Sequence, residues 1–578
     1  MSKYDLVIRG GTIYDGTGGD PTKADVGVNG AVIAAIGEGL EGKEVIDAEG
    51  LIVTPGFVDP HTHYDGQVTW ENRLSPSSDH GVTTVLMGNC AVGFAPCRAD
   101  DRQRMIEVMS GVEDIPEVVI TDGVPWKWET FAEYLDFLEG RQTDIDFATL
   151  VPHGAVRVYA MGKRGANREI PFIDDLREMT RLVTEGINAG AMGVSSSRTM
   201  AHRDNKGQLA PVETSGDSEL LALARGVKEA GGGMLEIVVD FNDIEFGGTT
   251  EFDIIKKLSI VGDCPVHFTL VQGPHLPNGW RVILNETEKA RKEGVDLYGN
   301  VSARGVGMCF GLSLSFIPFS FCDTYRSIAD LPLEEKVAKM RDPEIRKQIL
   351  SEKQEDANDT MVWLAGMYDK MVPMDDEFSY EAPPENTVAG RAKAQGKDPR
   401  EVAYDLLLED DGHRIIYLPV TNYVDGTLDV AREMIDSDAT IISLGDGGAH
   451  YGLICDASYS TFTLTHWGRD RKQGRFPLQR LVHELTQRPA RAIGLNDRGV
   501  IKVGMKADLN VIDFDNLTLH NPEVRYDLPK GGKRMVQKVD GYVATILSGQ
   551  VTYRNGEPTG ALPGRLVRRQ SAEQQKAA

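Results

Sequence analysis

Two textures of hydrophobic patterning divide the chain. In the first fifty residues, short alternating runs (YDLVIRG, GTIYDG, ADVGVNG, AVIAAIGEG, EVIDAEG) are broken by glycine-bearing turns. Period-two alternation between such turns predicts short antiparallel strands. The same texture returns in GVIKVGMKADLNVIDFD and YVATILSGQVTYRNGEP near the far end. Ends that resemble each other and flank a different middle predict one discontinuous β domain, residues 1–54 with 498–560.

Between them, apolar strand-like runs alternate with amphipathic helical ones. The strands read as LIVTPGFVD, VTTVLMG, FATLVPH, AMGVSSS, MLEIVVD, PVHFTLV, VDLYGNVSA and ATIISLGD, separated by segments such as FIDDLREMTRLVTEGINAG and SELLALARGVKEAGG. Continuous Val/Ile/Leu runs suit strands buried on both faces. About eight strand–helix units over residues 55–497 predict a (β/α)8 TIM barrel, whose chemistry sits at the carboxyl ends of the strands. A doubly wound sheet is the alternative, but no G-x-G-x-x-G follows a strand and opens a helix. A charge-rich stretch, 305–412, interrupts the rhythm; its Asp342-Pro343 pair reads as an N-cap followed by a helix-starting proline. A connection that long predicts a lid. Residues 561–578 read as a C-terminal tail, with its last fifteen residues frayed and solvated.

Composition narrows the class. With 578 residues, 41% hydrophobic and 26% charged, the chain reads as a globular protein with one large core and a satellite. A formal net charge of −25 argues against nucleic-acid and anionic-membrane partners, which leaves a small-molecule substrate and keeps a homo-oligomer open. MSKYDLVIRGG has no secretory pattern, and no run approaches a membrane span. The six cysteines are too irregular for a disulfide framework, so a cytoplasmic setting is expected.

Polar chemistry gathers at the strand ends. His61 and His63 follow the first strand, and residues two apart on an extended chain share a face, which makes a pincer for a divalent metal. Asn89 and Cys90 follow the second strand, His153 the third, Arg198 the fourth, Arg304 the seventh, and Asp446 with His450 the eighth. Each has a structural alternative: a buried apolar cysteine, a helix-capping aspartate, a core histidine, a salt-bridged arginine. Their joint placement favours a metal-bearing catalytic mouth.

These same residues carry a resemblance. The segments DLVIRGGTIYDGTG, PGFVDPHTHYD, GVTTVLMGNC, VPHGAVR, GDGGAH and RGVIKVGMKADLNVID together resemble the amidohydrolase superfamily, and the GNC and H-G-x-x-R elements its D-aminoacylase (N-acyl-D-amino-acid deacylase) branch. The resemblance implies a metal-dependent (β/α)8 barrel with a small β-sandwich built from both termini. It further implies that His61, His63, Cys90 and Asp446 are metal ligands, with Asp446 also the proton shuttle. The chain departs from that pattern at two strands. Ile237 aligns with the histidine expected on strand five; Leu270 and Gln272 align with the histidine and lysine expected on strand six. His267 would fit only after a three-residue register shift.

The expected activity is therefore metal-dependent hydrolysis of an amide C–N bond, with deacylation of an N-acyl (D-)amino acid or related N-acyl compound in front. The expected cofactor is one Zn2+ per chain, with another divalent metal as the substitute. Asp446 is the expected acid–base residue, and His153, Arg198, Arg304 and His450 the expected substrate contacts. Hydrolysis of a cyclic amide or imide, deamination, C–C hydrolysis on the same scaffold, and a non-catalytic scaffold remain alternatives.

Overall fold

A computed structural model describes residues 3–356 and 359–570. Eight parallel strands form a barrel: Phe57–Asp59, Val82–Met87, Asp146–Thr149 continued by Val151–Pro152, Gly193–Arg198, Met234–Val239, Val266–Thr269, Leu297–Val301 and Thr440–Ile442. The circle closes just beyond the last strand, where Asp446 N donates to His61 O at 3.1 Å and His63 N to Gly447 O at 2.8 Å. Along each strand one parity points inward and the other meets the helices. On the fifth strand Ile237 joins the large outer core, whereas Met234 packs with Val58, Leu86 and Ala148 inside. Asp342 caps its helix as expected, accepting from Glu344 N ahead of Pro343. Among the described residues no helix is long and apolar enough to cross a membrane.

The two chain ends build the smaller domain together. Strand Ile52–Pro55 pairs with Leu509–Ile512 (Val53 opposite Val511) and with the end of Tyr4–Ile13. The resulting nine-stranded sheet returns on itself: Ile33 N donates to Met505 O and Ala507 N to Ala31 O. Leu6, Ile8, Val26, Val53, Leu509, Val511 and Ile546 fill the interior of this sandwich.

Three expected boundaries change. The hairpin Thr518–Leu528 with Gly532–Asp540 lies within 498–560 but pairs with no strand of the sandwich. It crosses to the barrel mouth, where Met535 N donates to Tyr451 O and Arg534 to Ser75 O, because Leu528 and Val539 complete the barrel core. The insertion ends at Pro419 rather than 412: strand Ile416–Pro419 is the centre of its own small sheet, between Gly307–Phe310 and Val372–Pro373. Phe310, Phe319, Met340, Val388, Tyr404 and Leu418 give it a separate core. It stands at the carboxyl ends of the barrel strands, with Cys309 N donating to Leu453 O and Ser315 Oγ to Asp114.

The tail is also ordered further than expected. Gly564 N, Arg565 N and Val567 N donate to Thr143 O, Asp146 Oδ1 and Phe147 O, and Leu566 is buried. The apolar Leu566 and Val567 give these residues a surface to bury; positions 571–578 of the expected tail lie outside the described residues.

Barrel and sandwich are joined by buried charge. Arg498 Nη1 donates to Asp146 Oδ2 at 2.7 Å and to Thr84 Oγ1 at 2.9 Å, while Lys506 Nζ sits 3.0 Å from Asp146 and 2.6 Å from Asp508. Removing one partner of a buried pair strands the other. Arg498→Ala should therefore lower unfolding free energy by about 3–5 kcal/mol in urea titration, against well under about 1 kcal/mol for the exposed Arg177→Ala.

Candidate metal centre

The first strand ends in PHTHYD, and the extended backbone puts His61 and His63 side by side, their ring centroids 5.4 Å apart. Both Nε2 atoms turn toward one carboxylate oxygen, Asp446 Oδ1, at 3.4 and 3.6 Å. Cys90 Sγ adds a contact to His61 Nε2 at 3.3 Å. The donor atoms of His61, His63 and Cys90 all lie within 4.8 Å of one another, and all three residues are buried. In a tetrahedral zinc site, ligand atoms about 2.0–2.1 Å from the metal stand about 3.3 Å from each other. The closest separations here match that edge.

Local sequence explains the convergence. Asn89 donates to Thr62 O and Leu86 O, binding the end of strand two to the His-x-His turn. Cys90 and Ala91 follow with φ of +56° and +66°, a left-handed kink that non-glycine residues rarely adopt. The kink aims Cys90 N at Glu236 Oε2 (3.1 Å) and Ala91 N at Ser195 Oγ (3.2 Å). The GDGG run brings the eighth strand close: a Cβ on Gly445 would stand 2.1 Å from Asp59 Oδ2, and Gly448, at φ +88°, would meet His63 O at 2.8 Å. Asp446 itself has φ +49°.

Behind the imidazoles stand two carboxylates that the sequence reading missed. Glu113 Oε1 is 3.4 Å from His63 Nδ1, and Glu236 Oε1 is 4.0 Å from His61 Nδ1. All four of these atoms are buried and without a hydrogen-bond partner. A carboxylate facing Nδ1 keeps the proton there and leaves the Nε2 lone pair free for a metal. Glu236 is the inward residue of strand five, one position before Ile237. A lone acid inside the apolar strand MLEIVV was the available signal. His202 is the other omission: Ser197 Oγ holds its Nδ1 at 2.8 Å, and it interacts electrostatically with His61, His63, His450 and Asp446.

Titration behaviour follows this packing. Burial lowers His61 to about 4, even with Asp446 beside it. His63, against the same burial, is raised to about 9 by Glu113 and Asp446. Burial pushes Glu236 up to about 8 and Asp65 up to about 7. Asp446 resists burial and stays below the usual carboxylate range because His63 bonds it and His61 and His450 face it. These buried acids have histidines and backbone amides as neighbours, a donor set that a divalent cation fits.

The remaining expected site residues divide. His450 is at the centre: its N donates to Glu113 O, and its Nε2 lies 3.6 Å from Glu113 Oε2. His153, Arg198 and Arg304 are each engaged by other protein groups. Both ring nitrogens of His153 are engaged, by Ser196 Oγ and by Glu219, which also pairs with Arg157. Arg198 sits on the outward parity of its strand, held by Glu251 and Asp217. Arg304 is buried against Asp456, Tyr380 Oη and Cys455 O. On strand six, Leu270 packs in the outer core, and Gln272 fastens the following loop through Asn422 and Asp425. His267 faces inward, contrary to the expected parity, but Asn300 Oδ1 and Ala492 O occupy both its nitrogens.

Comparison with known proteins agrees with this geometry. The amidohydrolase family model matches residues 44–553. A D-aminoacylase of Alcaligenes xylosoxydans xylosoxydans is 24% identical, the match covering 98% of each chain. A D-aminoacylase structure described by its binuclear metal centre superposes with a TM-score of 0.65 at 22% identity, over 98% of this chain and 100% of that one. N-acyl-D-glutamate deacylase from Bordetella bronchiseptica, solved with zinc and a phosphonate inhibitor, gives 0.64 at 20% identity over the same shares. The chain belongs to the amidohydrolase family, in its D-aminoacylase-like branch, among the hydrolases of carbon–nitrogen bonds other than peptide bonds.

Proposed function

We propose that this protein is a metal-dependent hydrolase that cleaves the amide bond of an N-acyl compound. The observation that carries this reading is the convergence of His61 Nε2, His63 Nε2, Cys90 Sγ and Asp446 Oδ1 beneath the strand ends. One divalent ion per chain would be held by these four groups, and the mixture of imidazole, thiolate and carboxylate favours zinc. Such an ion, when bound, polarises a carbonyl and acidifies water.

The protein's own groups do the rest. Asp446 takes a proton from water and returns it to the leaving nitrogen. His450 and His202 supply hydrogen bonds to the carbonyl oxygen as it gains charge. Glu113 and Glu236, which face the Nδ1 atoms of His63 and His61, would favour the tautomer that leaves Nε2 free once they close to hydrogen-bond distance. The names of the two relatives, D-aminoacylase and N-acyl-D-glutamate deacylase, support N-acyl amino compounds as the class from which the substrate is drawn.

Three outcomes test the reading. His61→Ala and His63→Ala should fold, by circular dichroism, yet carry less than a stoichiometric metal ion in elemental analysis; full metal in either would remove it from the ligand set. Asp446→Asn keeps a weak ligand oxygen but no base, so it should retain metal and lose about 10²–10⁴-fold or more in kcat. Near-normal turnover of that variant ends the proton-transfer role. Glu236→Gln should weaken metal affinity about 10–100-fold in chelator competition; unchanged affinity means that the carboxylate does not support His61.

A further inference from the structure

Segments far apart in the sequence meet at one carboxylate beside the metal centre. Asp114 accepts from Ser315 Oγ at 2.9 and 3.0 Å and from Gly452 N at 3.0 Å. Ser315 belongs to the insertion, and Gly452 to the loop that carries Asp446 and His450 beyond strand eight. The two are also joined directly, Ser315 N donating to Gly452 O at 2.9 Å. They pack so closely that a Cβ on Gly452 would collide with Ser315 Oγ. Lys533, on the hairpin that crosses to the mouth, faces Asp114 as well.

The residue before it, Glu113, touches the centre itself. Glu113 Oε1 stands 3.4 Å from His63 Nδ1, just beyond an ordinary hydrogen bond. Its carbonyl accepts from His450 N, and its Oε2 lies 3.6 Å from His450 Nε2. The dipeptide therefore sets one side chain against a metal-binding imidazole and the next against the insertion. Asp114 holds φ at +49°, a left-handed conformation that turns the chain between these two contacts. With a planar peptide joining them and that turn fixed, a displacement of Asp114 carries Glu113 with it. The insertion has a core of its own, so it can shift against the barrel as a unit.

We infer that Asp114 is a positioning residue through which the docked insertion sets the distance between Glu113 and His63, so that docking and metal binding favour each other. The inference rests on the metal centre proposed above. With the insertion docked, Ser315 and Gly452 both donate to Asp114, and Glu113 is presented to His63 from a fixed backbone. When the insertion lifts, Asp114 keeps Gly452 alone and Glu113 gains freedom to move off the imidazole. Whatever docking adds to metal affinity, the metal adds equally to docking.

The test is metal binding and hydrogen exchange on the full chain, with zinc as the probe. Glycine is the informative replacement at 114, because it removes the carboxylate and holds a positive φ without the strain that alanine would add. Asp114→Gly and Ser315→Ala should each weaken zinc affinity in chelator competition by about fivefold or more, as expected of coupled sites. Asp114→Asn tolerates the same φ and can still bond Gly452 N and Ser315 Oγ, so it should stay within about threefold of the unsubstituted chain. In the unsubstituted chain zinc should slow amide exchange over residues 309–316 by about fivefold or more. That slowing should vanish in Asp114→Gly, while exchange at 61–63 still responds to zinc.

Unchanged zinc affinity in Asp114→Gly or Ser315→Ala overturns the inference and leaves the metal centre standing. So does exchange over 309–316 that ignores zinc in the unsubstituted chain. Failure of the unsubstituted chain to bind zinc overturns the metal centre, and the inference with it. The route is tested by combination: in a Glu113→Ala chain, adding Asp114→Gly should cost little further affinity. Full additivity of the two changes would show that Asp114 does not act through Glu113, and would overturn the inference.

Discussion

Closely packed carboxyl groups are what this structure has to accommodate. Asp59, Asp65, Glu113, Glu236 and Asp446 converge at the strand ends with two imidazoles and a thiol. Carboxylates taken out of water are costly unless paired. Elsewhere the chain meets that demand conventionally: Asp146 has Arg498 and Lys506, Glu219 has Arg157, and Asp456 has Arg304. At the mouth no such cation pairs with them, and His61 Nδ1, His63 Nδ1, Glu113 Oε1 and Glu236 Oε1 are buried without a hydrogen-bond partner.

Precision at this spot comes from backbone as much as from side chains. Cys90, Ala91, Leu444, Asp446 and His450 all hold positive φ without being glycine. Such conformations persist where surrounding contacts over-determine them. Here those contacts are the Asn89 bonds, the Cys90–Glu236 and Ala91–Ser195 bonds, and the close passage of Gly445 and Gly448 against the first strand. The rigid barrel below supplies the reference frame.

Much of this was legible in the sequence, for identifiable reasons. The eight barrel strands announced themselves because they are buried on both faces and so carry apolar runs interrupted by few polar residues. His61, His63, Cys90, Asp446 and His450 were legible because each sits at the end of such a run. Glu236 was hidden by one residue of register: an alignment centred on Ile237 looked at the outer face of the strand, and the neighbouring position looked inward. Glu113 and His202 lie outside the strands, where no periodicity singles them out. The partners of His153, Arg198 and Arg304, namely Glu219, Glu251 and Asp456, are 53 to 152 residues distant and invisible to local pattern.

The sandwich has a bearing on how the chain comes into being. Strand Ile52–Pro55 leads into the first barrel strand and the turn that carries His61 and His63, and its antiparallel neighbour is Leu509–Ile512, more than four hundred and fifty residues later. On the ribosome the amino-terminal strands therefore emerge long before their sheet can be completed, and they wait with apolar faces and open edges exposed. Biosynthesis, rather than the finished fold, is where this protein is most vulnerable to aggregation. The exposed charges scattered along the neighbouring strands, among them Lys23, Lys43 and Glu44, favour the solubility of this half-built sheet.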